Sequence, residues 1–126
     1  MKPLKRILYV EDAPDIQAIA RLALEKLGGF TVQLCETGHE AVRKVPGFEP
    51  DLILVDVMMP QMDGPTTVAA IRALPGFAEV PVVFVTAKVM PGEVARYRDL
   101  GALGVIAKPF DPMTLPDRLR EIWEAQ

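Results

Sequence analysis

The chain has 126 residues, half of them hydrophobic, and carries 14 basic against 17 acidic side chains. This length predicts one domain with a full hydrophobic core, while the single Cys35 excludes an intrachain disulfide and a thiolate metal cluster. The acidic balance argues against direct nucleic acid binding. No apolar run approaches the ~18 residues that cross a bilayer, and the basic N-terminus leads straight into a strand-like segment. We therefore expect a cytoplasmic protein without a membrane segment.

The first third of the chain predicts a strand, a helix and a second strand. Residues 7–10 form an apolar run that ends in Glu11-Asp12, as in a short buried strand. Pro14 then lies near the first position of a helix, where its missing N–H costs little. The apolar residues of this helix recur at helical spacing: Ile16, Ala20, Ala23 and Leu27. Gly28-Gly29 ends the helix, and residues 30–35 predict the second strand.

The central segment predicts a short helix and a strand that is buried on both faces. Thr37 and Glu40 form a capping box, so we expect a helix through Val45 that stops at Pro46-Gly47. Residues 52–55 are all apolar, which is typical of a strand covered on both sides. Asp56 follows where this strand meets a turn-rich segment. An ionised carboxylate there needs a partner, so we expect Asp56 at the exposed carboxyl end of the strand.

The second half continues the same alternation. A third helix begins near Pro65 and presents an apolar face of Val68, Ile71 and Leu74. Residues 81–85 predict a strand that ends at Thr86, and residues 93–100 a helix with a modest apolar stripe. The stripe consists of Val94, Tyr97 and Leu100. Residues 104–107 predict the fifth strand, which ends at Lys108, and the last helix has an apolar face of Leu115, Leu119 and Ile122.

Strands that alternate with helices throughout indicate an α/β fold. Each parallel connection needs a helical crossover, and such crossovers are right-handed, so the helices cover both faces of one parallel sheet. No repeat or linker interrupts the pattern. We expect a single domain over residues 1–126.

Polar residues follow four of the predicted strands: Glu11, Asp12, Asp56, Thr86 and Lys108. The carboxyl ends of parallel strands share one edge, so these side chains converge there. Three carboxylates at close range repel one another unless a cation lies among them. Oxygen ligands alone favour Mg²⁺. The sequence therefore predicts a magnesium site at this edge.

Each of these residues also has a purely structural interpretation. Asp56 could serve a turn, Glu11-Asp12 could favour a helix N-terminus, Thr86 could end a strand and Lys108 could be solvated. We expect His39 on the surface, and Tyr97 and Trp123 in packing or partner contacts. The structural interpretations do not explain why four strand ends carry such residues together.

Five motifs resemble the receiver domain of bacterial two-component response regulators over the whole chain. They are Val10-Glu11-Asp12, Val55-Asp56 followed by Met59-Pro60 and Asp63-Gly64, Val85-Thr86-Ala87, Gly101-Ala102, and Lys108-Pro109-Phe110. The resemblance implies a flavodoxin-like, doubly wound sheet of five parallel strands in the order 2-1-3-4-5. It also implies a cis bond between Lys108 and Pro109.

The resemblance further implies a role for each residue of the edge. Asp56 would accept a phosphoryl group from a sensor histidine kinase, a phosphotransfer protein or a small phosphodonor. Asp12, Asp56 and the carbonyl of Met58 would bind Mg²⁺, with Glu11 acting mostly through water. Lys108 would pair with Asp56 before the reaction and with a phosphoryl oxygen after it, and the Thr86 hydroxyl would donate to another. The protein would catalyse only its own phosphorylation and dephosphorylation, and would switch the binding of a downstream protein effector.

Several departures and alternatives accompany this interpretation. Family members usually carry an aromatic residue where this chain has Val105, and many have Asp where it has Glu11. The chain could be a stand-alone receiver or a module cut from a longer regulator or hybrid kinase. A phosphatase with an Asp nucleophile resembles an Asp-X-Asp pattern, whereas Asp56 is followed by Val57-Met58. A scaffold-only pseudo-receiver would lack the acceptor or the Lys, and this chain has both.

Overall fold

The computed structural model describes residues 2–126, in which strands and helices alternate. The elements are β1 (Arg6–Val10), α1 (Pro14–Leu22), β2 (Thr31–Cys35), α2 (Gly38–Phe48), β3 (Leu52–Asp56), α3 (Gly64–Arg72), β4 (Val82–Thr86), α4 (Pro91–Asp99), β5 (Gly104–Ala107) and α5 (Leu115–Glu124). All neighbouring strands pair in parallel, in the order β2-β1-β3-β4-β5. The predicted doubly wound sheet with the order 2-1-3-4-5 is confirmed.

The register of the sheet brings the polar strand ends together. Val10 pairs with Val55, so Glu11 and Asp56 follow at the same level of β1 and β3. Asp56 pairs with Val85, and Thr86 is the next residue of β4. Because adjacent strands lie about 4.8 Å apart, these neighbouring ends place their side chains within reach of one another.

The core lies on both faces of the sheet. Every residue of β3 and of β4 is buried, as the unbroken apolar runs predict for central parallel strands. On one face, Tyr9 and Leu54 pack with residues of α1 and α5. On the other face, Val55 and Phe84 pack with residues of α2, α3 and α4. The apolar face predicted for α5 is confirmed, since Leu115, Leu119 and Ile122 are buried.

The end of the first helix differs from the prediction. After Leu22 the chain continues as a π-helical segment, Ala23–Leu27, which ends with a hydrogen bond from the Gly28 N–H to the Ala23 carbonyl. A π-helical segment changes the register of the residues that follow it. Leu24 is therefore fully buried, while Leu27, the last apolar residue of the predicted helical spacing, is 53% exposed.

The second helix passes the proline at which it was predicted to stop. It includes Pro46 and continues to Phe48, and Glu49 ends it with a positive φ of 54°. The Arg6 guanidinium donates two hydrogen bonds to the Phe48 carbonyl and lies 4.2 Å from the centre of the Phe48 ring. These contacts stabilise the last turn although Pro46 removes one helical hydrogen bond.

Two further helix boundaries shift for local reasons. The third helix ends at Arg72, before Leu74, the last residue of its predicted apolar face, because the Leu74 N–H bonds to the Ile71 carbonyl in a tighter turn. The fourth helix begins at Pro91 rather than at residue 93, since proline suits the first helical position. Leu100, the last residue of the predicted apolar stripe, is 42% exposed. Within residues 2–126, no helix combines the length and the apolar character needed to cross a membrane.

Candidate functional site

The residues predicted for the site meet at the carboxyl edge of the sheet. Glu11 and Asp12 follow β1, Asp56 is the last residue of β3, Thr86 is the last residue of β4, and Lys108 follows β5. Glu11, Asp56 and Thr86 are almost completely buried, while Asp12 is exposed. Asp56, expected at an exposed strand end, is only 3% exposed, so its charge depends on partners supplied by the protein.

One ammonium group is shared by two buried carboxylates. Lys108 Nζ lies 2.9 Å from Asp56 Oδ2, which is the pairing expected before reaction, and 2.7 Å from Glu11 Oε1. Burial alone would lower the pKa of Lys108, but the hydrogen bonds from its ammonium to Glu11 and Asp56 outweigh burial and raise it. Lys108 therefore stays charged at neutral pH. Its bond to Pro109 is cis, as the motif implies.

The Glu11 carboxylate has two further donors. The Tyr9 hydroxyl lies 3.3 Å from Oε1, and the Ala13 N–H lies 3.3 Å from Oε2. Burial is the main reason that the pKa of the Tyr9 hydroxyl is raised, and the charge of Glu11 raises it further. Tyr9 is therefore a neutral hydrogen-bond donor. The Gln17 side-chain amide also donates to the Glu11 carbonyl, which holds the loop after β1 in place.

The loop after β3 is held close to Asp56. The Met58 N–H donates to Asp56 Oδ1 at 3.3 Å, while the Met58 side chain is 66% exposed. Gly64 donates its N–H to the Val57 carbonyl, and a Cβ on Gly64 would lie 2.6 Å from the Asp56 carbonyl oxygen. Only glycine allows this approach. Asp63 caps the helix that follows, accepting from the Thr66 N–H at 2.8 Å.

Thr86 is positioned by its neighbours on both sides. Its hydroxyl oxygen accepts from the Lys88 N–H at 3.0 Å, which leaves the hydroxyl proton free to be donated. Its carbonyl accepts from the Lys108 N–H at 2.9 Å, which ties the ends of β4 and β5 together. The Thr86 hydroxyl and the Lys108 ammonium are therefore both donors at the edge that carries Asp56.

The acidic cluster has the donor set of a hard divalent cation. One carboxylate oxygen from each of Glu11, Asp12 and Asp56 lies within 4.8 Å of the others. Lys108 offsets one of the three negative charges. A divalent cation would balance the remaining two, and oxygen ligands from few carboxylates suit Mg²⁺. The residues present therefore fit the predicted metal.

The other residues considered from the sequence lie away from this cluster. His39 is exposed on α2, as expected. Tyr97 is buried with its ring centre 5.1 Å from that of Phe84, and the buried Trp123 donates to the Lys2 carbonyl at 2.8 Å. Both are packing residues. Val105 is half-buried and pairs with Phe84 across β4 and β5.

Sequence reasoning missed Tyr9 and the contact between Glu11 and Lys108. The period of two along a strand puts Tyr9 and Glu11 on the same face, so the tyrosine in an otherwise apolar strand was a usable signal. No comparable feature of the sequence indicates the ion pair between Glu11 and Lys108. Whether Lys108 reaches Glu11 as well as Asp56 depends on the side-chain rotamers of three strand ends.

Comparison with known proteins identifies the family to which the chain belongs. The family model for the response regulator receiver domain matches residues 7–120. The chain belongs to this family, and the prediction of a receiver domain of a two-component response regulator is confirmed.

Particular relatives show how the chain relates to longer proteins. It is 36% identical over 110 residues to the probable C4-dicarboxylate response regulator DctR of Halalkalibacterium halodurans, covering 86% of this chain and 47% of the relative. It is 33% identical over 120 residues to response regulator Rre1 of Synechocystis, covering 95% and 52%. The chain therefore spans about half the length of these curated relatives.

Solved structures show the same fold at nearly full length. The Vibrio cholerae chemotaxis protein CheY4 is similar with a TM-score of 0.86 at 29% identity, covering 95% of this chain and 99% of that one. The receiver domain of a signal transduction histidine kinase from Syntrophus aciditrophicus has a TM-score of 0.79 at 31% identity, covering 96% and 91%. A chemotaxis protein and a domain of a histidine kinase thus share the architecture of this chain.

Proposed function

We propose that this receiver domain accepts a phosphoryl group on Asp56 from a sensor histidine kinase or a phosphotransfer protein, and thereby switches the binding of a downstream protein effector in the cytoplasm. The observation that carries the proposal is the buried Asp56 carboxylate paired with Lys108 at 2.9 Å, beside two further acids at the carboxyl edge of the sheet. A carboxylate is an adequate nucleophile for phosphorus once the charge on the transferring group is neutralised.

Asp56, Lys108 and Thr86 each have a separate role in the phosphoryl transfer. An Asp56 carboxylate oxygen forms the new bond to phosphorus as the bond from phosphorus to the donor breaks, and the leaving imidazole or acetate takes that electron pair. Lys108 turns its ammonium to one phosphoryl oxygen, and the Thr86 hydroxyl donates to another. Both donors act where charge develops, which is the main source of catalysis for this reaction.

Mg²⁺ would be held by Asp12, Asp56 and the Met58 carbonyl, with Glu11 acting through water, and when bound would neutralise charge on the phosphoryl oxygens. The carboxylate oxygens of Glu11, Asp12 and Asp56 lie close enough together to support this assignment. The residues do not turn over a separate substrate. They catalyse the phosphorylation of their own Asp56 and its later dephosphorylation.

The same chemistry serves a stand-alone receiver and a receiver module of a longer regulator or hybrid kinase. The length of the curated relatives supports the second arrangement, and the match to 99% of the solved chain of the chemotaxis protein CheY4 supports the first. The mass of the natural gene product separates the two.

The acceptor is tested by intact-protein mass spectrometry after incubation with acetyl phosphate and Mg²⁺. Wild-type protein should gain the mass of one phosphoryl group, and Asp56→Asn should gain none. Asp63→Asn is the matched control. It makes the same chemical change at an exposed residue that caps α3, seven positions after Asp56. Undiminished phosphorylation of Asp56→Asn would refute the assignment.

A further inference from the structure

Tyr9 is a buried polar side chain to which the proposed transfer gives no role. It lies in the interior of β1, is fully buried, and pairs in register with Leu34 and Leu54. Its ring belongs to the apolar cluster that α1 and α5 cover. An apolar side chain would meet the packing requirement alone. The hydroxyl adds a polar group that needs a partner in the core.

The partner of that hydroxyl is the carboxylate of Glu11. The Tyr9 hydroxyl lies 3.3 Å from Glu11 Oε1, and both side chains are fully buried. This distance is longer than the usual O–H···O distance of about 2.5–3.0 Å, so the hydrogen bond is weak in this state. The same oxygen lies 2.7 Å from Lys108 Nζ. Two donors, one neutral and one charged, therefore share a single carboxylate oxygen.

Lys108 has to loosen its contact with Glu11 if it is to bind a phosphoryl oxygen on Asp56. Before the reaction its ammonium compensates the charges of both Glu11 and Asp56. When the ammonium turns to the phosphoryl group, Glu11 remains fully buried and loses its direct ion pair, and of its side-chain contacts the Ala13 N–H to Oε2 and the Tyr9 hydroxyl to Oε1 remain. A buried carboxylate without adequate donors is strongly unfavourable, so this movement is opposed by Glu11.

We propose that Tyr9 is a positioning residue whose hydroxyl holds the Glu11 carboxylate when Lys108 turns to the phosphoryl group. The hydroxyl then has Oε1 to itself, and a hydrogen bond to an ionised acceptor strengthens as it shortens. Tyr9 thus reduces the free energy needed to detach Lys108 from Glu11. This role rests on the proposed function, because it requires the phosphoryl group to be on Asp56.

The test compares two variants that each remove one phenolic oxygen. Tyr9→Phe keeps the ring and should bind beryllofluoride, a stand-in for the phosphoryl group, roughly tenfold more weakly than wild type at saturating Mg²⁺. Tyr97→Phe is the matched control: Tyr97 is also buried, but it packs on Phe84 on the opposite face of the sheet. The affinity of Tyr97→Phe for beryllofluoride should stay within about twofold of wild type.

Two further measurements separate this role from packing and from metal binding. Calorimetric titration with Mg²⁺ alone should give affinities for Tyr9→Phe and wild type that agree within about twofold, because Lys108 keeps its partners in that state. In a Glu11→Gln background, Tyr9→Phe should change the beryllofluoride affinity by less than about twofold, since a neutral amide releases Lys108 easily.

Equal beryllofluoride affinity in Tyr9→Phe and wild type would overturn the role of Tyr9. A loss of Mg²⁺ affinity as large as the loss of beryllofluoride affinity would overturn it too, as would a full effect of Tyr9→Phe in the Glu11→Gln background. Failure of the proposed function looks different. In that case wild type takes up no beryllofluoride, or Asp56→Asn takes it up equally, and the role of Tyr9 falls with the function.

Discussion

Among the residues beside Asp56, Met58 contributes its backbone to the site and leaves its side chain in solvent. Its N–H donates to Asp56 Oδ1, and the side chain is 66% exposed. A thioether is a weak acceptor and does not orient an attacking water. We expect Met58→Asn to lose its phosphoryl group severalfold faster than wild type, because an amide both donates and accepts hydrogen bonds.

Met113→Asn is the control for this substitution. Met113 is 70% exposed and lies on the loop between β5 and α5, so the same change there should leave the lifetime unchanged. The decay of the phosphorylated protein after removal of the donor, followed by mass spectrometry, gives the rates. Equal half-lives for Met58→Asn and wild type would contradict the prediction.

Asp51 is a third buried carboxylate, at the opposite edge of the sheet from Glu11 and Asp56, and it contributes to stability. It accepts hydrogen bonds from the Lys5 and Arg6 N–H groups and pairs with the Lys2 ammonium at 2.8 Å. Burial alone would raise the pKa of Asp51, but these partners outweigh burial and lower it. Asp51→Asn should reduce the free energy of unfolding by about 1–3 kcal/mol at neutral pH.

The pH dependence of this effect has a definite sign. A carboxylate with a lowered pKa in the folded state stabilises the protein above its unfolded pKa of about 3.9 and loses that contribution as the pH falls towards the folded value. The difference in unfolding free energy between wild type and Asp51→Asn should therefore shrink below about pH 4. Denaturant unfolding at a series of pH values measures it. A difference that grows as the pH falls would contradict this account.

At the scale of elements, α4 is the segment best suited to move. Its one buried side chain is Tyr97, and it begins at Pro91 after a loop of exposed residues. Elements with few buried contacts open at low free energy. The family resemblance implies a switch in which the threonine moves toward the phosphoryl group and an aromatic ring turns inward. Val105 has no such ring, since valine is short and stiff at χ1. The response to phosphorylation should therefore run through the loop after Thr86 and through α4.

We expect beryllofluoride to shift backbone amide signals mainly in residues 86–100. Thr86→Ala should weaken the effect of phosphorylation on partner binding strongly, because it removes the donor to the phosphoryl oxygen. Val105→Ala should leave that effect nearly unchanged. NMR spectra and partner titrations of the two variants test this. The largest shifts on α1 with none near Thr86, or uncoupling by Val105→Ala alone, would show that the switch works differently.

The start of α3 depends on one close approach. A Cβ on Gly64 would lie 2.6 Å from the Asp56 carbonyl oxygen and 3.0 Å from Val57 Cα, so either the loop or the helix has to shift. Gly64→Ala should lower the free energy of unfolding by about 1–3 kcal/mol. It should also slow phosphorylation, since the loop that it displaces begins directly after Asp56.

Gly47→Ala is the matched substitution within α2. A Cβ there meets no atom within 4 Å, so we expect a neutral effect or a gain of up to about 1 kcal/mol from helix propensity. Chemical denaturation of both variants provides the comparison. A Gly64→Ala protein as stable as Gly47→Ala would show that the loop adapts without strain.

The ends of the helices were the part of the fold that the sequence predicted least well. The helix after β2 was predicted to stop at Pro46, but contacts between Arg6 and Phe48 stabilise three more residues. The π-helical segment after Leu22 rotates Leu24 into the core in place of Leu27. The first outcome depends on a contact between distant residues, and the second on a local change of helical period. Regular apolar spacing predicts neither of them.

At the scale of the whole molecule, the alternation of apolar runs with helical patterns was enough to predict the class and the convergence of the strand ends. The two fully buried central strands, β3 and β4, carry the clearest signal. The spatial order of the strands came from the family resemblance, because periodicity does not say which strands are neighbours. That the Lys108 ammonium contacts both Glu11 and Asp56 could be seen only in the structure, because it depends on side-chain positions.

The acidic cluster should make the stability of the whole domain depend on Mg²⁺. A ligand that binds the folded state alone adds stability that grows with the logarithm of its concentration above Kd. We expect the Tm of wild type to rise on titration with Mg²⁺ and to return after chelation.

Asp12→Asn should remove most of that rise, because it deletes an exposed ligand of the cluster. Asp15→Asn, an equivalent change on the exposed surface three residues later, should retain it. A Mg²⁺ response that is the same in both variants would place the metal elsewhere.

Asp56 is the proposed site of the phosphoryl group, and the modified residue can be mapped in the protein without any substitution. Protein phosphorylated with acetyl phosphate and Mg²⁺ is reduced with borohydride, which converts an acyl phosphate to a stable alcohol, and its peptides are then sequenced by mass spectrometry. The account predicts homoserine at position 56 and unmodified residues elsewhere. Homoserine at residue 12 or 63, or phosphate retained on His39, would contradict it.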